Sequence, residues 1–192
     1  MQGLSPCPAL LRRDHAGIIT GDDASGDSVI IVDGPPAATS GPIEAGGLFD
    51  IWHDDAFGPL NARNTHDLGP DRCVLSPATG KVKVRWFVIQ PPPADVPREQ
   101  LNAAARARFA SFDAEDHLTD QSKSPAMHKT ESLDVICLLQ GEVDLILDTG
   151  RTRIQPGQIV IQRGTSHGWE AIGAPALLLA VLIDRPLVAP PH

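Results

Sequence analysis

The sequence lacks the features that mark several large classes of protein. Lysine and arginine do not cluster and the net charge is −8, so neither a nucleic acid nor an anionic membrane is expected as a partner. The longest apolar stretch, residues 174–183, contains Pro175 and is far shorter than a membrane span. The N-terminus shows no charged segment followed by an apolar one. We therefore expect a soluble, cytoplasmic protein.

Cysteine is also scarce. Cys7, Cys73 and Cys137 form an odd, scattered set without the spacing of a zinc site or of a disulfide framework. The sequence contains no Gly-x-Ser-x-Gly elbow, no phosphate-binding loop and no dinucleotide fingerprint before a helix. What remains is a chain of 192 residues with 42% hydrophobic residues, which is enough to bury the core of one globular domain.

The second half of the chain has the pattern of a β domain. From Met127 to Asp184, short apolar runs alternate with glycine-containing turns, and no segment has the length or period of a helix. This pattern predicts a series of antiparallel strands. Upstream, Lys81–Gln90 is a clear strand that three prolines terminate. Arg85 and Trp86 fall on opposite faces of it, and either face is compatible with the interior.

Two stretches of this β region resemble the paired motifs of the cupin superfamily, in particular single-barrel cupins of the cupin-2 type. The first cupin motif begins His-x-His, continues to a Glu and ends on a Gly. Here the corresponding positions are His128, Thr130, Asp134 and Gly141, so a threonine replaces the second histidine and an aspartate replaces the glutamate. The resemblance implies an all-β fold, a cupin jelly-roll barrel.

The second motif has a glycine, a strand and a turn that ends on a histidine. This chain has Gly157, the strand residues 158–161 and then His167. In cupins the two motif histidines converge inside the barrel, and the resemblance implies the same for His128 and His167. Cupins of this type are commonly homodimers, so a homodimer is expected.

The resemblance also divides the chain. We predict an N-terminal arm over residues 1–80, with short strands that extend the sheets, and the cupin barrel over residues 81–192, with its core motifs at 127–184. A helix is predicted at about 97–112, because apolar residues recur there at helical spacing. Two positions remain open for this helix: against the outside of the barrel, or across its mouth as a lid.

His128, Asp134 and His167 are the predicted metal ligands. Two imidazoles and a carboxylate match the facial triad of non-haem iron enzymes, and the ion would be Fe, Mn, Ni or Zn. Against a metal, Thr130 stands where cupins supply another histidine. The alternative is a metal-free polar floor on which the histidines bind a ligand and Asp134 fixes a tautomer.

The predicted substrate-binding residues are Thr130, Arg163 and Trp169. Arg163 could pair with a substrate carboxylate or lie in solvent, and Trp169 could stack on a planar ligand or belong to the core. The catalytic residues would be His128 and His167, as metal ligands or, without metal, as a general acid or base.

The function these residues predict is that of a small-molecule enzyme. A metal would serve oxygenation, decarboxylation or isomerisation of an organic acid or of an aromatic, polyketide-like compound. The alternative is a ligand-binding or sensory cupin without catalysis. The fold alone does not decide between them, because cupins carry many chemistries.

Overall fold

The computed structural model describes residues 17–42 and 46–188; Cys7 lies outside them. Within these residues the chain forms eleven strands, one α-helix and one short 3₁₀ turn. In chain order the elements are β1 (Gly17–Asp22), β2 (Ser28–Gly34), β3 (Ala38–Ser40), β4 (Leu48–Asp55), β5 (Lys81–Ile89), α1 (Arg98–Ala110), the 3₁₀ turn (Glu115–His117), β6 (Ser132–Gln140), β7 (Val143–Leu147), β8 (Gly150–Ile154), β9 (Ile159–Arg163), β10 (His167–Ala171) and β11 (Ala176–Asp184). No helix in the described part of the chain is long and apolar enough to cross a membrane.

The barrel consists of two antiparallel sheets that face each other. The larger sheet has the strand order β3-β4-β5-β11-β6-β9 and the smaller one has the order β10-β7-β8. Ile136 and Leu178 of the larger sheet share a buried cluster with Val143 and Ile154 of the smaller one. Because both sheets bury one face in this cluster, they close a single core. The predicted all-β jelly-roll barrel is confirmed.

The strands before residue 80 do not form one unit. β3 and β4 lie in the larger barrel sheet, where β4 pairs with β5. β1 and β2 pair with each other in a two-stranded sheet of their own. The prediction that the early strands extend the barrel sheets therefore describes β3 and β4 and not β1 and β2. The boundary predicted at residue 80 falls between two hydrogen-bonded strands of one sheet.

The predicted helix is present as α1, and it packs on the barrel with its apolar side. Pro97 immediately precedes it and makes no side-chain capping bond. Phe109, near the end of α1, and Phe112, two residues beyond it, both have buried side chains. Both belong to a second apolar cluster that includes Leu48 of β4 and Leu75. The helix is therefore held against one end of the larger sheet.

Strand β5 turns its charged face inward. Lys83 and Arg85 are 0% and 2% exposed, and Phe87 on the same face packs against the barrel core. Trp86 lies on the opposite face, where it packs against Phe49 and its neighbours. The choice that the alternation of β5 left open is thus settled in favour of Arg85. A buried arginine requires charged or polar partners.

Candidate functional site

A cavity of about 340 Å³ lies between the larger sheet, the start of β10 and α1. Most of its wall is apolar, and its polar side chains are few. The apolar wall includes Phe87, Ile89, Phe109, Phe112, Ile136 and Trp169, and the polar side chains include Arg85, His128, Thr130, Asp134 and His167. A mainly apolar cavity with a small number of polar groups is the usual form of a small-molecule site.

Helix α1 forms part of the cavity wall. Ala105, Arg108 and Phe109 of the helix line the cavity together with the proline run at 91–93. The ring of Phe109 is 5.1 Å from the ring of His128. The helix therefore forms part of the cavity wall, and its role as a lid stays a prediction.

His128 and His167 lie side by side at the edge of the cavity. Each donates its backbone N–H to the other's carbonyl, at 2.8 and 2.9 Å. This two-residue bridge joins the segment before β6 to the start of β10. The centres of the two imidazole rings are 4.2 Å apart. The histidines that the two sequence motifs supply are therefore neighbours in the folded chain.

Backbone carbonyls fix the tautomer of both rings. Nδ1 of His128 is 2.9 Å from the carbonyl oxygen of Ala126, and Nδ1 of His167 is 2.9 Å from that of Thr165. Because a carbonyl oxygen only accepts, each Nδ1 must carry a proton. Each neutral ring then keeps an unprotonated Nε2, which is an acceptor and a metal-ligand atom.

Both rings are neutral at physiological pH. Burial lowers the pKa of His128 to about 3, and the adjacent His167 acts in the same direction. Burial also lowers the pKa of His167 to about 4. The carbonyl bonds at Nδ1 oppose both shifts but do not outweigh the loss of solvation.

Asp134 is the carboxyl group of the cavity wall. Its side chain is 3% exposed, and its Oδ1 atom has no hydrogen-bond partner. Burial raises the pKa of Asp134 to about 6, although a hydrogen bond with Ser132 and the charge of Arg85 act in the opposite direction. Ser132 also donates from its hydroxyl to Oγ1 of Thr130, at 2.9 Å. Thr130, Ser132 and Asp134 thus form a buried polar row.

The predicted metal ligands fit an ion only in part. The two Nε2 atoms are suitable nitrogen donors, and the unpartnered Oδ1 of Asp134 is a suitable oxygen donor. However, no three His, Cys, Asp or Glu side chains in residues 17–42 and 46–188 lie together as a set that could hold a metal ion. The metal centre at His128, Asp134 and His167 stays a prediction.

The predicted substrate-binding residues separate into two groups. Thr130 and Trp169 line the cavity, and the ring of Trp169 meets those of His167 and Phe87 edge to face. Arg163 is the last residue of β9 and is exposed. It does not line the cavity, because alternation along β9 turns Gln162 inward and Arg163 outward. The predicted pairing of Arg163 with a substrate carboxylate is not supported by this placement.

Arg85 is a buried cation at the cavity wall. Its Nε and Nη2 atoms donate to both carboxylate oxygens of Asp50, at 2.5 and 3.0 Å. The guanidinium also donates to the carbonyls of Val74 and Leu75. Lys83 lies beside this pair, with its Nζ 3.7 Å from Asp50. The inward face of β5 in the sequence contained the signal for this group, but its acidic partner lies 35 residues earlier.

Comparison with known proteins gives several similar chains. No protein-family model matches the chain. It is 29% identical over 152 residues to "Phomopsin biosynthesis cluster protein C'" of Diaporthe leptostromiformis. The aligned region covers 79% of this chain and 67% of that protein. It is 38% identical over 68 residues to the cupin-domain-containing oxidoreductase virC of Hypocrea virens, over 32% of this chain and 35% of that protein.

Among solved structures, the chain is similar to a cupin 2 conserved barrel domain protein of Salinispora arenicola. The sequence identity is 15% and the TM-score is 0.35, over 54% of this chain and 63% of that one. The match to the virC oxidoreductase, by comparison, spans about one third of its length.

Proposed function

We propose, from the premise that the chain belongs to the cupin superfamily, that it is a small-molecule enzyme whose reaction takes place in the barrel cavity at His128 and His167. The observation that carries the proposal is the pair of imidazoles whose ring centres lie 4.2 Å apart, because both rings line a mainly apolar cavity and both have their Nδ1 atoms held by backbone carbonyls. The similarity of the chain to a cupin-domain-containing oxidoreductase supports an enzyme-like role.

The chain's own residues suggest how such a site would act. A neutral imidazole whose Nδ1–H is held by a carbonyl keeps Nε2 as an acceptor. A bound substrate that carries or develops negative charge would raise the lowered pKa of the ring, so that Nε2 could accept a proton and return it. The apolar cavity wall, which includes Phe87 and Trp169, would keep water from a bound ligand and so strengthen the polar interactions of that ligand with the protein. Proton transfer next to a carbonyl or carboxylate of the substrate would serve isomerisation or decarboxylation of an organic acid or of an aromatic, polyketide-like compound.

A divalent ion is a further part of this proposal. Fe, Mn, Ni or Zn would be held by Nε2 of His128 and of His167, with Asp134 as the carboxylate ligand. The ion would supply activation of dioxygen or polarisation of a carboxylate or enolate, which adds oxygenation to the reactions considered. In the described residues these three side chains are not grouped closely enough to count as a metal-binding set. Proton transfer by the histidines is a separate role that needs no ion.

Elemental analysis of the untagged protein tests the metal. Near-stoichiometric metal in the wild type that is lost in His128→Ala would support ligation and direct substrate screening by the ion found. An empty protein that also takes up no added Fe, Mn, Ni or Zn would refute it and leave proton transfer. Asp148→Ala is the control, because Asp148 is exposed in the turn between β7 and β8 and should leave the metal content unchanged.

Turnover tests the enzyme itself. With any substrate that the wild type converts, His167→Ala should abolish the reaction, because it removes one Nε2 and opens a gap beside His128. His167→Gln keeps much of the volume without the imidazole and should be equally inactive. Full turnover by both variants would show that the reaction does not use this pair.

The second candidate function is a ligand-binding or sensory cupin without catalysis. The observation that favours it is the mainly apolar cavity of about 340 Å³, which is suited to holding an apolar molecule. Such a protein would bind small molecules in the cavity, and His167→Ala would alter affinity without any turnover to lose.

A further inference from the structure

Asp134 stands out among the buried polar groups of the described residues. Four buried side-chain atoms there have no hydrogen-bond partner: Nε2 of His53 and one oxygen each of Asn102, Asp134 and Gln140. Of these four residues, only Asp134 lines the cavity. The other two buried acidic residues have cationic partners: Asp50 pairs with Arg85, and Asp144 pairs with Arg153.

An acceptor left without a donor inside a protein is unfavourable. The free-energy penalty is about 1–3 kcal/mol for a polar group and more for a charged one. Such an atom at a cavity wall therefore favours any ligand that brings a donor to it. The described residues give Oδ1 no such donor: Ser132 hydrogen-bonds with Asp134 but leaves this oxygen unpaired, and the guanidinium of Arg85 is directed at Asp50 and at backbone carbonyls.

Charge decides what kind of donor the cavity would accept. Behind the cavity wall the buried cations are Lys83 and Arg85, and the carboxylates are Asp50 and Asp134. Arg108 of α1 also lines the cavity, so a cationic ligand would meet several positively charged side chains in a medium of low dielectric constant. A neutral donor, such as a hydroxyl or an N–H group, satisfies Oδ1 without adding positive charge.

We propose that Asp134 is a specificity-determining residue, whose Oδ1 accepts a hydrogen bond from a neutral hydroxyl or N–H group of a ligand that is otherwise apolar. This inference rests on the proposed function, because it places the ligand in the same cavity. It assigns the substrate class: a compact molecule with an aromatic or alicyclic body that fits the apolar wall and one neutral donor directed at β6.

A matched pair of probes tests this assignment. 2-Naphthol and 2-methoxynaphthalene have the same ring system, but only the first has a donor. Their dissociation constants would be measured by calorimetry at neutral pH, with the protein treated with EDTA and again as isolated. A hydrogen bond to a charged group contributes about 1.5–3 kcal/mol, so the wild type should prefer 2-naphthol by about 10–100-fold.

Substitutions at Asp134 separate the acceptor from the shape of the side chain. Asp134→Leu removes both oxygens at similar volume and should reduce the preference at least tenfold. It should also fold, because an apolar side chain replaces a group whose hydrogen bonding is incomplete. Asp134→Asn retains an acceptor oxygen and should keep part of the preference. Asp148→Ala, at an exposed turn, should match the wild type.

Each contrary result has a distinct meaning. Equal affinity of the wild type for the two probes, or an unchanged preference in Asp134→Leu, would overturn the role of Asp134 while leaving the cavity as the binding site. Binding of neither probe would overturn both this inference and the proposed site. A preference that is present only in the protein as isolated, and lost with EDTA, would assign Asp134 to a metal and would also overturn the inference.

Discussion

Removal of the carboxylate at Asp50 should destabilise the protein strongly. Asp50 is 0% exposed, as is Lys83, and Arg85 is 2% exposed. One carboxylate therefore accepts two hydrogen bonds from Arg85 and also lies 3.7 Å from the ammonium of Lys83. In Asp50→Asn the amide keeps the shape of the side chain, but both cations lose their nearest negative charge.

The size of the effect follows from the burial of the pair. Breaking a buried ion pair by removing one partner destabilises a protein by about 3–5 kcal/mol, because the other charge remains buried. Lys83 relieves part of this penalty: burial and the charge of Arg85 already lower its pKa to about 8, and without Asp50 it releases its proton more readily. Arg85 has no such route. We therefore expect a loss of about 3 kcal/mol, toward the lower end of that range.

Urea unfolding at neutral pH, followed by circular dichroism, measures this loss. The matched control is Asp55→Asn on the same strand, β4, where the carboxylate pairs with Lys81 in an exposed salt bridge. An exposed pair contributes about 0–1 kcal/mol. If Asp50→Asn were no more destabilising than Asp55→Asn, the buried charges would not hold β4 to β5 as described, and the reasoning would be refuted.

Two further predictions concern a tight turn and the response to acid. Gly141 has φ +85°, and a Cβ there would lie 2.8 Å from the carbonyl oxygen of Pro175; Gly141→Ala should therefore lower the urea midpoint more than Gly157→Ala, which has φ +87° but open space around it. Equal effects would contradict the predicted clash. In EDTA-treated protein the unfolding free energy should show a net fall of about 3 kcal/mol from about pH 6.5 to 4. The fall arises because the unfolded chain binds protons at His128 and His167 that the folded chain does not. Asp134 has a raised pKa and contributes in the opposite direction below about pH 6, so Asp134→Asn should make the fall steeper; a flat profile in the wild type would contradict both assignments.

The sequence predicted the barrel well because its strands are marked locally. Alternation along β5 is a property of a few neighbouring residues, and it places Arg85 and Phe87 on one face. The meeting of His128 with His167 is what the resemblance to cupins implies, not a consequence of local spacing. The same alternation explains why Arg163 lies in solvent, one of the two alternatives that the sequence leaves open. Arg163 is still part of β9, where the position after the inward Gln162 faces solvent.

Two features of the site depend on contacts that spacing does not encode. The Asp50–Arg85 pair joins residues 35 apart through a strand pairing that contains a register shift between Asp50 and Trp52, so no local pattern in the sequence identifies it. The distance of Asp134 from the two histidines depends on how the segment before β6 crosses to β10. Alternation along a strand relates His128 to Asp134 at most, and it does not determine whether either of them meets His167.

The account depends most on the state of the two cavity histidines, which ¹⁵N imidazole spectra of EDTA-treated protein measure directly across a pH series. We predict that His128 and His167 remain neutral with the proton on Nδ1 down to about pH 5. Assignment by His128→Gln and His167→Gln identifies each signal. Titration of either cavity ring near pH 6.5, or a proton on Nε2 of the neutral ring, would contradict the proposal that these nitrogens are the acceptors of the site.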